Sequence, residues 1–390
     1  DGMNDPTAIR PVAVEDLLGR PRTVLDRDAM QTLVRNRRVL ITGAGGTIGS
    51  ELVRQIADIG PETLVLFDSA EYLLYEIDMA ITREHPTLEK RPYLGDVRDR
   101  QRIDDVIARE KPELVFHAAA LKHVPMVERN PNEGVLTNVV GTRNVADACR
   151  AADVRLMVHI STDKAVNPAN IMGATKRLAE SYCQALDLSG QENESTRFVV
   201  VRFGNVLGSR GSVVPLFQSQ LARGGPLTVT DPEMTRYFMT VHEAVELVLQ
   251  ASALGLTEAE SEGRIFVLDM GEPVKIIDLA RQIIRLAGLQ PDKDVAIEII
   301  GPRPGEKRHE VLLHEKETPV PTACDGLTLA APRTPDLALM ARTIDELERS
   351  AQSRDATRTL SLLQLLVPEF DSEDALPVTT DPVPISSSRE

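Results

Sequence analysis

Between the apolar run Arg38-Val39-Leu40-Ile41-Thr42 and a helical repeat of Ile48, Leu52, Ile56 and Ile59 lies the segment Gly43-Ala44-Gly45-Gly46-Thr47-Ile48-Gly49. A strand that turns on glycines straight into a helix is the start of a βαβ unit, which few folds accommodate. Gly43, Gly46 and Gly49 keep a GxxGxxG spacing. They permit a tight turn and let a pyrophosphate approach the backbone N–H groups at the positive end of the helix, where Thr47 and Ile48 stand. Structural turns also use such glycines, so the weight comes from the strand before, the helix after and an acid at the right distance. That acid is Asp68, closing the run Thr63-Leu64-Val65-Leu66-Phe67. A carboxylate there bonds the ribose hydroxyls of adenosine and repels a 2′-phosphate, so the expected cofactor is NAD and not NADP.

The rhythm set by this unit continues. Strand-like runs at 38–42, 63–67, 91–94, 113–117, 155–160 and 197–203 alternate with helical patterns, which predicts an α/β fold: a Rossmann-like, doubly wound parallel sheet. After Gly208 the alternation loosens into Gly- and Pro-punctuated segments, with helices near 242–254 and 275–288. The expected organisation is a linker and docking arm over 1–36, an NAD-binding domain over 37–207, and a region over 208–335 that is mainly a smaller C-terminal substrate-binding lobe. Within that lobe a strand at 264–268 is placed to rejoin the sheet. A C-terminal helical segment follows over 336–370, and residues 371–390, rich in Pro, Ser, Thr and acids, read as a disordered tail.

Composition narrows the partners. A net charge of −15 with acids interspersed argues against nucleic acid, because neutralising phosphates takes clustered Lys and Arg. The three cysteines, Cys149, Cys183 and Cys324, are far apart and without metal-ligand spacing, so structural roles and a reducing, cytoplasmic compartment are expected, with no metal. No run approaches the ~20 apolar residues of a membrane span. Asp1-Gly2 precede Met3, however, so upstream sequence is expected to be missing.

Further candidates follow the strand ends. Asp96, in Leu94-Gly95-Asp96-Val97, is placed either to reach the adenine, with Val97 beside it, or to form a turn. His117 ends the fourth strand and reads as a packed residue, followed by Ala118, Ala119 and Ala120 beside the cofactor. The segment Ile160-Ser161-Thr162-Asp163-Lys164 leaves the fifth strand at its carboxyl end, where open α/β sheets place their ligands. Met172-Gly173-Ala174-Thr175-Lys176 then opens a helix.

This arrangement resembles the extended short-chain dehydrogenase/reductase family, whose pattern is a Ser or Thr after that strand and then a YxxxK helix. Lys176 matches the family lysine, which holds the nicotinamide ribose. The family tyrosine is replaced by Met172, and none of the five tyrosines has Lys four residues later. Met here, with Asp163-Lys164, resembles the bacterial UDP-N-acetylglucosamine 4,6-dehydratases of polysaccharide and protein-glycan biosynthesis. So do Phe116 to Pro125, Asn138 to Thr142, Arg202 to Ser209, Met234 to Met239 and Arg303 to Lys307. The likeness runs from about Asp16 to Leu313. Longer members carry N-terminal membrane helices, and Val14 to Arg20 resembles the junction after them, which would put the full protein at the cytoplasmic face of the inner membrane. The resemblance also implies a homo-oligomer and retention at carbon 5.

The implied reaction oxidises carbon 4 of a UDP-N-acetylhexosamine and eliminates the carbon 6 hydroxyl. Lys164, with its pKa lowered by burial or by Lys176, is the candidate base for the carbon 5 hydrogen, and Asp163, protonated, the acid for the leaving hydroxyl. Thr162 positions the carbon 4 hydroxyl, and its base is either Asp163 or a water linked to Lys176. A structural Asp163–Lys164 ion pair is the alternative. Asn138 fits the family asparagine near the nicotinamide or a helix-packing role. For the substrate, Lys122, Arg210, Arg236 and Arg303 offer cationic donors to a diphosphate. Asn205 suits a phosphate or the N-acetyl group, and Glu306 the uridine ribose; Arg210, Arg236, Arg303 and Glu306 each also read as a surface charge. The competing functions are a UDP-hexose 4-epimerase, which needs no acid for a leaving hydroxyl, and a non-catalytic NAD-sensing scaffold.

Overall fold

The computed structural model describes residues 25–190, 196–258, 261–331 and 336–370. The expectations for residues 1–24 of the arm and for the tail over 371–390 lie outside the described residues.

Six strands carry the first half of the chain: β1 (Arg38–Thr42), β2 (Thr63–Asp68), β3 (Lys90–Leu94), β4 (Leu114–His117), β5 (Leu156–Ile160) and β6 (Arg197–Arg202). They pair in parallel in the order β3-β2-β1-β4-β5-β6, and Ile265–Leu268 joins in parallel beside β6. Leu327–Ala330 and Pro319–Pro321 add antiparallel to that edge and complete nine strands. The sheet is doubly wound, and its order reverses between β1 and β4, which opens a crevice at the carboxyl ends of those strands. β1, β2, β4 and β5 are buried almost throughout, as strands covered on both faces must be, whereas the edge strand β3 exposes Arg91 and Pro92.

Apolar side chains from the two faces form two separate cores. One includes Val39, Ile41, Leu52, Ile56, Leu64, Phe116 and Val248; the other includes Leu40, Val65, Phe67, Val115, Leu178, Met340 and Leu347. The helix Ile171–Ser189 is buried round nearly its whole circumference, because the helices Leu337–Gln352 and Ala356–Leu366 cover the side that turns away from β6. The expected 336–370 segment is therefore a cap over the helix that carries Lys176. Opposite it, Arg27–Val34 packs on Val241–Thr257, anchored where the Asp26 N–H donates to Gln250 Oε1 at 2.8 Å. A third core, built on Val214, Phe217, Leu227, Phe238, Leu279 and Ile283, holds the second lobe together. Its short strand Asn205–Val206 pairs with Phe238–Met239, setting Asn205 beside the end of β5.

Candidate active site

The glycine loop closes on its neighbours. Gly43 has φ +67, and a Cβ there would lie 2.7 Å from the Ala119 nitrogen; a Cβ on Gly49 would lie 1.9 Å from the Gly43 carbonyl oxygen. A Cβ on Gly46 would meet only that same oxygen, at 3.2 Å. The outer side of the turn is thus open, which suits a pyrophosphate against the helix start at Thr47 and Ile48. Asp68 is buried, with Oδ2 accepting from the Gly45 N–H and Oδ1 from the Ala70 N–H, both at 2.8 Å. Each carboxylate oxygen keeps acceptor capacity for a ribose hydroxyl. The cradle fits the dinucleotide read from the sequence. Ala118 and Ala119 are half-buried and Ala120 exposed at the mouth of β4.

Asp96 builds a turn: Oδ1 accepts from the Arg98 N–H at 2.9 Å, and Oδ2 accepts from its guanidinium at 2.8 Å. Burial works against its charge, but Arg98 outweighs that and holds the carboxyl low. Val97 is buried against Gly141. Asn138 is fully buried in a π-helical turn, Leu136–Val140. Its amide donates to the Leu121 carbonyl and to Thr175 Oγ1, both at 3.0 Å, and Oδ1 accepts from the Leu121 N–H at 2.8 Å. Asn138 therefore ties the loop after β4 to the residue that precedes Lys176. His117 is packed between Thr42 and Thr142. Thr142 gives its own proton to the Asn138 carbonyl, so it accepts from His117 Nε2–H while Thr42 donates to Nδ1. Burial first, and then Lys176, push the His117 pKa down to about 3, which fixes a neutral ring.

The candidate catalytic segment forms a single 3-10 turn, Asp163–Ala165, immediately after β5. Thr162 Oγ1 donates to Asp163 Oδ1 at 2.9 Å, and Lys164 Nζ donates to the same oxygen at 3.0 Å and to Asn205 Oδ1 at 3.0 Å. The Asp163 side chain is fully buried, and its Oδ2 has no hydrogen-bond partner. The ion pair weighed as an alternative is therefore present. Glu310, also buried, stands 4.0 Å from Lys164. Burial opposes the charge on Lys164, but Asp163 and Glu310 outweigh it, and the pKa is raised. This corrects the expected lowering. The lowered lysine is Lys176: burial pushes it down to about 8, against the opposing charge of Glu180. Lys176 Nζ donates to the Ile160 carbonyl at 2.6 Å and to His159 Nε2 at 3.2 Å. Met172 is buried one helical turn before it.

The predicted substrate residues divide. Asn205 faces Lys164, as described. Lys122 is an exposed residue whose pKa is lowered by desolvation and by the charge of Lys164. Arg236 is buried and donates to the carbonyls of Thr235, Lys307 and Arg308, so it braces the second lobe. Glu306 lies 3.7 Å from it and accepts from the Arg303 N–H at 3.2 Å, closing a turn that leaves Arg303 exposed. Arg210 lies beside the cofactor loop: its N–H donates to Thr47 Oγ1 at 3.4 Å, and its guanidinium is 3.6 Å from Glu76. Sequence reasoning missed Glu310 and the buried network in which Ser161 donates to Glu180 at 2.7 Å and Glu180 pairs with Arg202 at 2.8 Å. The signal for Glu310 was an acid set directly before the apolar run Val311-Leu312-Leu313. Among the described residues no group of acids, histidines or cysteines is arranged to hold a metal, and no helix is long and apolar enough to cross a membrane.

Comparison with known proteins places these features in context. Residues 39–331 match the family described as polysaccharide biosynthesis protein. The capsular polysaccharide biosynthesis protein CapD of Staphylococcus aureus is 50% identical over 310 residues, which are 79% of this chain and 50% of CapD. The chain thus spans about half the length of the first curated relatives it matches. The UDP-N-acetylglucosamine 4,6-dehydratase (inverting) of Campylobacter jejuni is 36% identical, over 73% of this chain and 80% of that protein. Among solved structures, Pen from Bacillus thuringiensis is 34% identical with a TM-score of 0.69, covering 77% of this chain and 88% of Pen. The UDP-glucose 4-epimerase of Thermus thermophilus, solved with NAD, is 25% identical with a TM-score of 0.58, covering 70% of this chain and 90% of that one.

Proposed function

The chain belongs to the polysaccharide biosynthesis protein family, and on that premise we propose that it carries out NAD-dependent 4,6-dehydration of UDP-N-acetylglucosamine for bacterial glycan biosynthesis, with retention at carbon 5. One observation carries the reading. A single carboxylate oxygen, Asp163 Oδ1, accepts from Thr162 at 2.9 Å and from Lys164 at 3.0 Å in a site where Met172 stands in place of the family tyrosine.

Bound NAD supplies the temporary acceptor that makes carbon 4 a ketone and returns the hydride to carbon 6. Thr162 accepts the proton of the carbon 4 hydroxyl while passing its own to Asp163, so a weak hydroxyl base is backed by a carboxylate. Asp163, now protonated, gives that proton to the departing carbon 6 hydroxyl. One residue closes the proton cycle that a tyrosine would otherwise open. Lys164, once protonation of Asp163 loosens its ammonium and that proton is lost to solvent, removes the hydrogen on carbon 5, which the ketone has acidified, and returns a proton to the face it left. Lys176 is proposed to hold the nicotinamide ribose. An epimerase needs no leaving-group acid and leaves the Asp163–Lys164 pair without a task.

Incubation with UDP-N-acetylglucosamine in deuterated water, read by NMR and mass spectrometry, tests this. A 4-keto-6-deoxy sugar carrying deuterium at carbon 5 is expected, with couplings that report retention. Formation of the carbon 4 epimer, or unchanged sugar, would sink the proposal.

A further inference from the structure

Two buried imidazoles lie behind Lys176, and neither has a task in the dehydration. His159 is 1% exposed on β5, directly across from His117 in the strand register. Its Nε2 is 3.2 Å from Lys176 Nζ. An ammonium has donors only, so Nε2 accepts and the ring proton stays on Nδ1. That nitrogen is buried and has no hydrogen-bond partner. An apolar side chain would fill this place on the strand without the cost of an unmatched N–H, so the imidazole is explained by what its other nitrogen does.

Stacking orients the ring in place of a bond at Nδ1. Its centroid lies 5.5 Å from that of His117, with the two planes inclined by 28°, a separation in the usual range for paired rings. His117 is itself clamped between Thr42 and Thr142, at 2.7 and 3.0 Å. Burial, and after it the charge of Lys176, holds the His159 pKa well below the ordinary histidine value, so the ring stays a neutral acceptor. Lys176 in turn has three N–H groups. The Ile160 carbonyl takes one at 2.6 Å and His159 takes the second, which leaves one for a ligand. Glu180 and Cys183 from its own helix, and His117 from β4, are the other titratable groups that interact with it.

We propose that His159 is the positioning residue for Lys176: its Nε2 takes one ammonium N–H and, with the Ile160 carbonyl taking a second, commits the third to the nicotinamide ribose of bound NAD. With a single acceptor the ammonium would turn about its Cε–Nζ bond and share its donors among several orientations; with two it presents one, so less freedom is lost when the ribose is bound. The inference rests on the assignment of Lys176 to the ribose and is independent of what happens to the sugar afterwards.

NAD is titrated calorimetrically into the wild type, His159→Leu, Lys176→Met and the double variant at pH 7. Loss of a hydrogen bond from a charged donor corresponds to about 10- to 100-fold in affinity. Lys176→Met is expected to weaken binding about 30-fold and His159→Leu about tenfold, with the double variant within threefold of Lys176→Met, since His159 then has nothing left to position. Additive losses in the double variant overturn the proposal, and so does a leucine variant within threefold of wild type. His159→Gln, whose amide oxygen can take the place of Nε2, must recover binding to within threefold of wild type; a glutamine variant as weak as the leucine one marks a packing role and overturns it. His159→Met covers a leucine variant that fails to fold. The ammonium itself is read by NMR of 15N-labelled lysine in the free protein. Losing an acceptor destabilises the charged form, so Lys176 in His159→Leu is expected to titrate below the wild type, where the proton is lost near pH 8; an unchanged titration overturns the proposal. If Lys176→Met binds NAD as tightly as wild type, the assignment of Lys176 fails and the inference with it, whereas a weakened Lys176→Met beside an unaffected His159→Leu defeats only the role of His159.

Discussion

The two ends of the site each bury a lysine, and the two lysines are driven in opposite directions. Lys176, on the helix side, meets a carbonyl and a neutral imidazole, neither of which carries a charge to compensate burial. Its pKa falls to about 8. Lys164, at the junction with the second lobe, meets two carboxylates, and its pKa rises despite burial. Burial alone therefore does not make a base; the charge of the partner decides. The comparison also separates roles. A lysine on the helix side serves as a fixed donor with adjustable charge, while the one at the lobe junction keeps its proton until its partners give way.

The largest effect expected from breaking this contrast is that of Lys164→Met. Dehydration of UDP-N-acetylglucosamine should fall about 1,000-fold, within the range for removal of a general base. The variant also leaves Asp163 and Glu310 buried without their shared cation, which should cost about 3–5 kcal/mol at pH 7. A lysine whose folded pKa is raised contributes stability that is complete below its unfolded value, near 10.5, and lost as pH climbs through the folded value above it. Denaturant unfolding at pH 7 and pH 11 should therefore show the deficit at the lower pH and a smaller one at the higher. A variant as stable as wild type at pH 7 would show that the ion pair does not hold the junction.

Lys176→Met should move stability the other way. The unfolded chain binds a proton between about 8 and 10.5 that the folded protein does not, so the wild type gains stability as pH rises through that window. At pH 7 the methionine avoids a buried charge worth about 3 kcal/mol and forfeits a hydrogen bond worth about 1 kcal/mol, a net gain of about 2 kcal/mol. The gain should shrink as pH rises through that window, pass through zero and become a loss of about 1 kcal/mol by pH 10.5, where only the missing hydrogen bond remains. Loss of stability at every pH would mean that the donor role outweighs the charge and would collapse the contrast.

Local features were legible in the sequence; the sign of this contrast was not. The strands, the glycine turn and Asp68 are set by neighbours in the chain: periodicity, a missing Cβ, an acid at a strand end. The joining of Ile265–Leu268 to the sheet was also readable, as an apolar run. What surrounds Lys164 is contributed by Asn205 and Glu310 from separate segments, and spacing carries no information about which distant carboxylate arrives. The arginines show the same limit. Arg210 and Arg236 were readable as cations, but whether a cation faces the crevice or is spent on carbonyls depends on the lobe's folding: Arg236 braces Thr235, Lys307 and Arg308, and Arg210 sits by Thr47. Asn138 reads correctly as a helix residue, yet its three bonds to Leu121 and Thr175 give it a bridging position that no local pattern implies.

The smallest expected effect sharpens the helix side of the comparison. Met172 is 2% exposed and lies one turn before Lys176. If Met172 fills the space of the absent ring, Met172→Tyr should fold with little penalty and alter turnover by less than about threefold, since overpacking of a closed core would instead cost about 1–3 kcal/mol. A phenol beside a lysine that gives up its proton near pH 8 has a partner able to share its proton. Thr162→Val, which cuts the path from the carbon 4 hydroxyl to Asp163, should slow carbon 4 oxidation about 100-fold. Adding Met172→Tyr to it should recover about tenfold of that loss, because the ring would supply a second route for the same proton. Borodeuteride trapping of the oxidised sugar measures both variants directly. Recovery would mean that the helix side keeps the geometry of a tyrosine-based site, and no recovery would mean that Lys176 and Met172 no longer face the carbon 4 hydroxyl at all.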